Sequence, residues 1–470
     1  MALDRLDTKE FDKSNGLYPT AVSVGDGVYA IAYSGPGKHG WLVTYTIDGA
    51  GDIGASAEDS FEFDATNGEN PHIIHISGSI YAIVYEKDDD GYVVTVEIDS
   101  AGNITEPVKD SMKFFTYLTD ISSVVHVSGD IYAIVFSDKT VGHGQLCTVD
   151  IDSAGDIEDA VVDSHEFDSS LAYSACIIKI SGTTYAIAYV GTGDDGFIRT
   201  LTIENDGSIA ADSNIDILEF DDVFCGTPWI VHVVGDIFAV AYKGPNSDGF
   251  LKTVEINAAG AITDPVEDTR EFDGNYCESP HIIQLSESSY AIAYTASQSY
   301  GWLTIIDIGA DGTIGSETDN LEFYPWCYSP FLFSIAEGLF GVAFTGPNSD
   351  GFLVTIGELP EASTVTTDPA TVIAALSATL NGTLDDDGGE ACDCGFEWGE
   401  TVAYGNTTPT QSRTTGQTFT QGISGLNPGQ TYHFRAFATN AAGTSYGADR
   451  TFRTLVATPS VTTDPATEVT

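Results

Sequence analysis

The chain has 470 residues, more than a single hydrophobic core usually holds, so two or more domains are expected. It carries 70 acidic against 17 basic residues, a formal charge of -53 that repels phosphate backbones and anionic lipid surfaces and argues against nucleic acid as a partner. With 49 glycines, 11% aromatics, recurrent short β-branched runs and no stretch of 18 apolar residues, it reads as all-β and shows no segment for membrane insertion.

Met1 runs through Ala2, Leu3 and Asp4 toward a first strand without a basic or apolar leader, so no secretory signal is expected in this sequence. The tract Tyr-Ala-Ile-Ala-Tyr at Tyr29 then returns at Tyr81, Tyr132, Tyr185, Phe238, Tyr290 and Phe340, in steps of 50 to 53 residues. Each copy holds four strand-like segments, A to D, shown in the second copy by His72 to Ser77, Ile80 to Glu86, Gly91 to Asp99 and Asp110 to Phe115. Strand B is apolar on both faces, so each sheet must be covered on both sides, which neighbours in a ring supply. The strand D motif, Glu10-Phe11-Asp12 in its first copy and Glu62-Phe63-Asp64 in its second, precedes the first strand A and is missing after the last strand C, Phe352 to Gly357. The expected fold is therefore a closed seven-bladed β-propeller over residues 1–358, the N-terminal strand completing the last blade. It resembles many propeller families in this closure but carries no signature of a finer one.

After a linker at 359–364, composition shifts to Thr, Gly and Asn. Phe396-Glu397-Trp398 and Leu426-Asn427-Pro428-Gly429-Gln430-Thr431-Tyr432 resemble the buried tryptophan and tyrosine corner of fibronectin type III domains, which implies a β-sandwich over 365–454. Val365 to Thr371 reappears as Val461 to Thr467, so 455–470 reads as a linker and the start of a second, truncated module, and tandem modules of this type imply a stalk.

In a propeller the D-to-A and B-to-C loops share one rim, and here the D-to-A loops vary most. Four residues before the proline (or its equivalent) that opens strand A stand Asn15, Asn67, Leu118, Leu171, Phe224, Tyr276 and Trp326, the last three aromatic in consecutive blades, with Trp229, Tyr328 and Phe331 nearby in sequence. Beside Asp222, Asn275 and Glu278 they suit a flat amphipathic ligand such as a sugar ring, the alternative being aromatics that cap the blade tops. Phe224, Trp229, Tyr276, Glu278, Trp326 and Tyr328 are the candidate ligand contacts.

Other constellations carry less. Ser23, His75, His126, Lys179, His232, Gln284 and Ser334 recur at one position of strand A, where a hydrated channel lining explains them better than a metal. Cys225, Cys277 and Cys327 occupy equivalent positions on adjacent blades, too demanding an approach for disulfides, so free thiols are expected. Asp88, Asp89 and Asp90 form an oxygen-rich turn able to hold calcium, though Asp-Gly is also ordinary turn chemistry. Arginines are few and no nucleophile elbow, phosphate loop or dinucleotide fingerprint occurs, so no catalytic residues and no other cofactor are expected. The expected function is non-enzymatic recognition or adhesion at a virion or cell surface, with a glycan or cell-surface protein as partner. The alternative is a structural spacer or assembly subunit whose partners are copies of itself or other assembly proteins.

Overall fold

The computed structural model describes residues 3–138, 140–210, 213–336, 338–358, 361–457, 459 and 461–463, with backbone alone for 118–122 and 358. Leu359-Pro360 of the linker and 464–470 of the module start expected after Val461 lie outside these residues. The chain divides into two compact units, Leu3–Gly357 and a second from Glu358 onward.

In the first unit the described residues form seven four-stranded antiparallel sheets, numbered here by the order of their A strands. Sheet one comprises Leu17–Gly25, Val28–Ser34, Gly40–Thr46 and Asp59–Asp64. In sheet seven the fourth strand is Leu3–Asp12, beside Gly351–Glu358. Strand A of each sheet touches strand A of the next, and that of the seventh touches that of the first. The unit is thus a β-propeller. The B strands are buried but for one or two end residues in some sheets, and Val28–Ser34 on every residue, because their Ala/Ile/Tyr alternation packs against a neighbouring sheet on either side.

Polar groups between sheets are as regular as the apolar ones. Thr44, Thr95, Thr148, Thr200, Thr253 and Thr355, all fully buried on strand C, donate to the C-to-D turn carbonyls of Gly102, Gly155, Gly207, Gly260, Gly312 and Gly51 of the following sheet at 2.5–2.7 Å. Thr304 in sheet six turns instead to Asn320 Oδ1 at 2.7 Å, since the sheet that follows takes its strand D from the chain start and has no such turn to accept it. A second series runs from backbone N–H groups to strand D carboxylates: Ile104 to Asp59, Ile157 to Asp110, Ile209 to Asp163, Ile262 to Asp216 and Ile314 to Asp268. Leu3 to Asp319 and Ile53 to Asp7, at 2.8 and 2.9 Å, extend that series through the N-terminal strand.

The second unit is a β-sandwich, with Thr364–Thr371, Ser377–Asp386 and Thr418–Ser424 in one sheet and Cys392–Gly399, Thr431–Asn440 and shorter strands in the other. Phe396, Phe434, Leu380 and Leu384 are fully buried between them. The expected central tryptophan, Trp398, is only half-buried at the margin of this core; Phe396, two residues earlier on the same face of its strand, holds the centre. The Tyr432 hydroxyl accepts a hydrogen bond from Asn427 N at 2.9 Å, tying the turn before its strand.

Candidate functional site

The D-to-A loops are fixed at one end of the propeller by backbone bonds to the B-to-C loop of the preceding sheet. Gly16, Gly68, Ala172, Cys225, Cys277 and Cys327 donate to Ser349, Lys38, Gly142, Asp194, Ser247 and Ser299 at 2.6–2.8 Å. The position accepts only small residues, because it faces the glycine that opens a strand C. Burial pushes the Cys225, Cys277 and Cys327 thiols well up, and all seven cysteines are buried and unpaired.

Two residues further on, strand A bulges. In sheets one, two, four, five, six and seven the register slips by one residue, three on strand A facing two on strand B. Tyr18, Asn70, Ser174, Thr227, Ser279 and Ser329 there adopt φ of 44° to 50°, a left-handed conformation that costs about 1–3 kcal/mol each outside glycine. For β-branched Thr227, which precedes a proline, it is a marked outlier. These six residues, each with the Pro or Ala that follows it, line an axial cavity of about 340 Å³ among the A strands.

The aromatic residues after the prolines form the wall. The His281 imidazole lies between Trp229 and Phe331, with centroids 4.2 and 4.4 Å away, and His72 approaches Trp229 and Phe331 at 6.4 and 6.2 Å. His281 is 6% exposed. Neither of its ring nitrogens, nor the buried Thr227 hydroxyl, has a hydrogen-bond partner among the described residues. Each such group costs about 1–3 kcal/mol. Burial, helped by the facing His72, pushes the His281 pKa down to about 3, so the ring is neutral at physiological pH.

The sequence-derived contacts fall in four places. Trp229 belongs to the axial cavity. Trp326 (49% exposed) and Tyr328 (42%) line an adjoining groove of about 410 Å³ with Tyr18 (49%), and Tyr18 and Ser329 border both hollows. The Tyr328 hydroxyl meets Ser299 Oγ at 2.7 Å. Tyr276 and Glu278 form a local cluster: Glu278 Oε2 accepts from Lys243 Nζ at 2.6 Å and the Tyr276 hydroxyl at 3.1 Å, and Lys243 lies over the Tyr276 ring. Phe224 is half-buried beside Gly226, and the equivalent Asn15 ties down its own loop through Ser34 and Gly35 carbonyls. The Leu118 side chain lies outside the described residues. Sequence reasoning missed His72, His281 and Tyr18; the signal was the recurrent residue-Pro-aromatic/His triplet opening strand A.

The other candidates have local occupations. His75, His126 and His232 each fold over their own A-to-B turn, onto the carbonyls of Gly78, Gly129 and Gly235 at 2.9–3.0 Å, and so do not converge. Asp90 accepts from Lys113 Nζ at 3.3 Å and Tyr117 N at 3.2 Å, while Asp88 and Asp89 take left-handed φ in the same turn. Among the described residues no group of three His, Cys, Asp or Glu is placed to hold a metal ion.

The chain matches no protein-family model and no curated protein sequence. Among solved structures, the sensor domain of the anti-sigma factor RsgI4 of Pseudobacteroides cellulosolvens is similar over 22% of this chain and 98% of its own, at 23% identity and a TM-score of 0.17. The WD40 domain of Toxoplasma gondii coronin is similar over 76% of this chain and 86% of its own, at 11% identity and a TM-score of 0.49. Sqt1 of Saccharomyces cerevisiae is similar over 77% of this chain and 100% of its own, at 12% identity and a TM-score of 0.46. By the geometry of its own sheets, the chain is an all-β protein built on a β-propeller.

Proposed function

We propose that this chain is a non-enzymatic recognition or adhesion protein of a virion or cell surface. Its head is a closed seven-bladed propeller that takes glycan or cell-surface ligands on the face of the D-to-A loops, and its stalk is of fibronectin type III-like modules. The observation that carries the reading is the aromatic groove of Tyr18, Trp326 and Tyr328, which joins the axial cavity through Tyr18 and Ser329. Large exposed aromatics rimmed by hydroxyls and amides fit ligands with one apolar and one polar aspect, as sugar rings have. Closure is supported by the bonds from Leu3 to Asp319 and Ile53 to Asp7, and the stalk assignment by the two-sheet sandwich and the Tyr432 hydroxyl bond.

A glycan-array screen of the whole chain, wild type against the Trp326→Ala/Tyr328→Ala double variant, tests the reading. Binding that the double variant loses by tenfold or more supports recognition through this face. Silence of the wild type across the array overturns it in favour of a structural assembly role.

A further inference from the structure

We propose that the axial cavity is an end-on subsite for an uncharged, hydroxyl-bearing ring, the neutral terminal pyranose of a glycan, and that it discriminates against acidic sugar ends. The proposal rests on the recognition reading above and adds to it the class of ligand.

Three observations carry it. Seventeen described residues line the cavity and none is Asp, Glu, Lys or Arg, although 19% of the chain is charged. A charged ligand would therefore lose its hydration without gaining a counterion, and an anionic one would also approach against a net charge of -53. Secondly, the cavity is lined by His281, whose two buried ring nitrogens have no partner among the described residues, and by Thr227, whose buried hydroxyl has none either. A neutral imidazole has one donor and one acceptor, and a hydroxyl serves as either. A sugar hydroxyl can donate to the acceptor nitrogen or accept from the N–H, whichever it meets, whereas a carboxylate, which only accepts, can meet the N–H alone. Thirdly, the Trp229 and Phe331 rings give the apolar faces of a pyranose a surface to pack on, and about 340 Å³ is the small end of ligand pockets, so one ring enters rather than a length of chain.

The six left-handed residues belong to the same device. Their conformation recurs at one rung of six sheets, and Tyr18, Asn70, Ser174, Thr227, Ser279 and Ser329, all uncharged residues able to donate or accept, line the cavity there. Strained conformations of this kind cluster at ligand sites, where the surrounding structure holds them in place.

The test uses the full chain on an array of matched glycans that end either in neutral hexoses or in sialylated, uronate or sulfated sugars. Wild type is compared with His281→Phe and Thr227→Val. Neutral ends are expected to bind at least tenfold better than acidic ones, and each variant to bind neutral ends at least tenfold more weakly. The His281→Phe chain should melt no lower than wild type, since an apolar ring replaces one with unpartnered nitrogens. Should that variant misfold, Thr227→Val carries the comparison. Equal or better binding of acidic ends, or wild-type binding by both variants, overturns the subsite and leaves the recognition reading standing. A wild type that binds no glycan overturns both.

Discussion

The interfaces between sheets contain a natural substitution experiment. At five of them a strand B tyrosine donates to a strand D aspartate of the preceding sheet: Tyr33 to Asp12, Tyr85 to Asp64, Tyr189 to Asp168, Tyr242 to Asp221 and Tyr294 to Asp273, at 2.6–3.1 Å. Lys87, Arg199 and Lys252 join three of these pairs. At the other two interfaces both partners change together, to Phe115 against Phe136 and Tyr324 against Phe344, and the position equivalent to Lys252 becomes Cys147 and Val354. Losing one member of a buried pair strands the other, whereas replacing the set with apolar groups of suitable shape is close to neutral. Asp221→Tyr alone should therefore cost about 3 kcal/mol or more. Adding Tyr242→Phe and Lys252→Val, which copies the interface of sheets six and seven, should recover most of that loss in denaturant unfolding, and additive costs would refute the coupling. His281 gives a pH signature. Its folded pKa of about 3 lies below the ordinary value of 6.5, so below pH 6.5 the unfolded chain takes up a proton that the folded chain refuses. Stability falls as pH drops through that window, by about 1.4 kcal/mol per unit for this group, and is fully present above it. Burial works against the Asp64 carboxylate, but Lys87, Thr66 and backbone N–H groups outweigh it and hold it at about 2, so a second loss begins only near pH 4. Between pH 7 and 4.5, wild type should lose about 2–3 kcal/mol more than His281→Phe, a gap that paired unfolding curves read directly.

At the scale of elements, the four-stranded repeat was legible because its signals are local. The second sheet was expected at His72–Ser77, Ile80–Glu86, Gly91–Asp99 and Asp110–Phe115, and its strands run Glu69–Ser77, Ile80–Lys87, Asp90–Ile98 and Ile104–Thr116. The errors lie at the ends where strands exceed their apolar pattern: Glu69 pairs with Glu86 across the bulge at Asn70, which has no hydrophobic period to announce it. The bulge also explains why the site was only half legible. Counting back from the proline placed Trp326 and Tyr276 at one rung, but the left-handed residue turns the chain, so Trp229, His281 and Phe331 on its far side face the axis while Trp326 and Tyr328 face a groove. Register through a bulge depends on a backbone angle that serine, threonine, asparagine and tyrosine adopt here alike, so their identities could not reveal it. The histidines on strand A show how a periodic polar position can have a local use: each ring packs on its own strand B aromatic at 5.0–5.1 Å and bonds the carbonyl of its own A-to-B turn.

For the whole molecule the question is what a linear array of sheets gains from its own termini. Leu3–Asp12 contributes the outer strand of sheet seven, the Asp319 and Asp7 contacts on either side, and the Asp12 partner of Tyr33 in sheet one. Removing residues 1–12 would expose the edge of Gly351–Glu358 and strand the Tyr33 hydroxyl at one interface. If the ring is closed by this strand, the truncated chain should melt at least 10 °C below the full chain and associate edge to edge, since an unpaired strand is a template for another. The charge of -53 opposes that association at low salt, so sedimentation belongs in 1 M salt, where the Debye length is about 3 Å. Removal of 361–470, which leaves every bond just named in place, is the matched control and should add no edge-to-edge association and keep the melting temperature within a few degrees of the full chain. A truncation at 1–12 that melts and sediments like this control would mean that the N-terminal strand merely lies against sheet seven and that packing of the A strands alone holds the ring together.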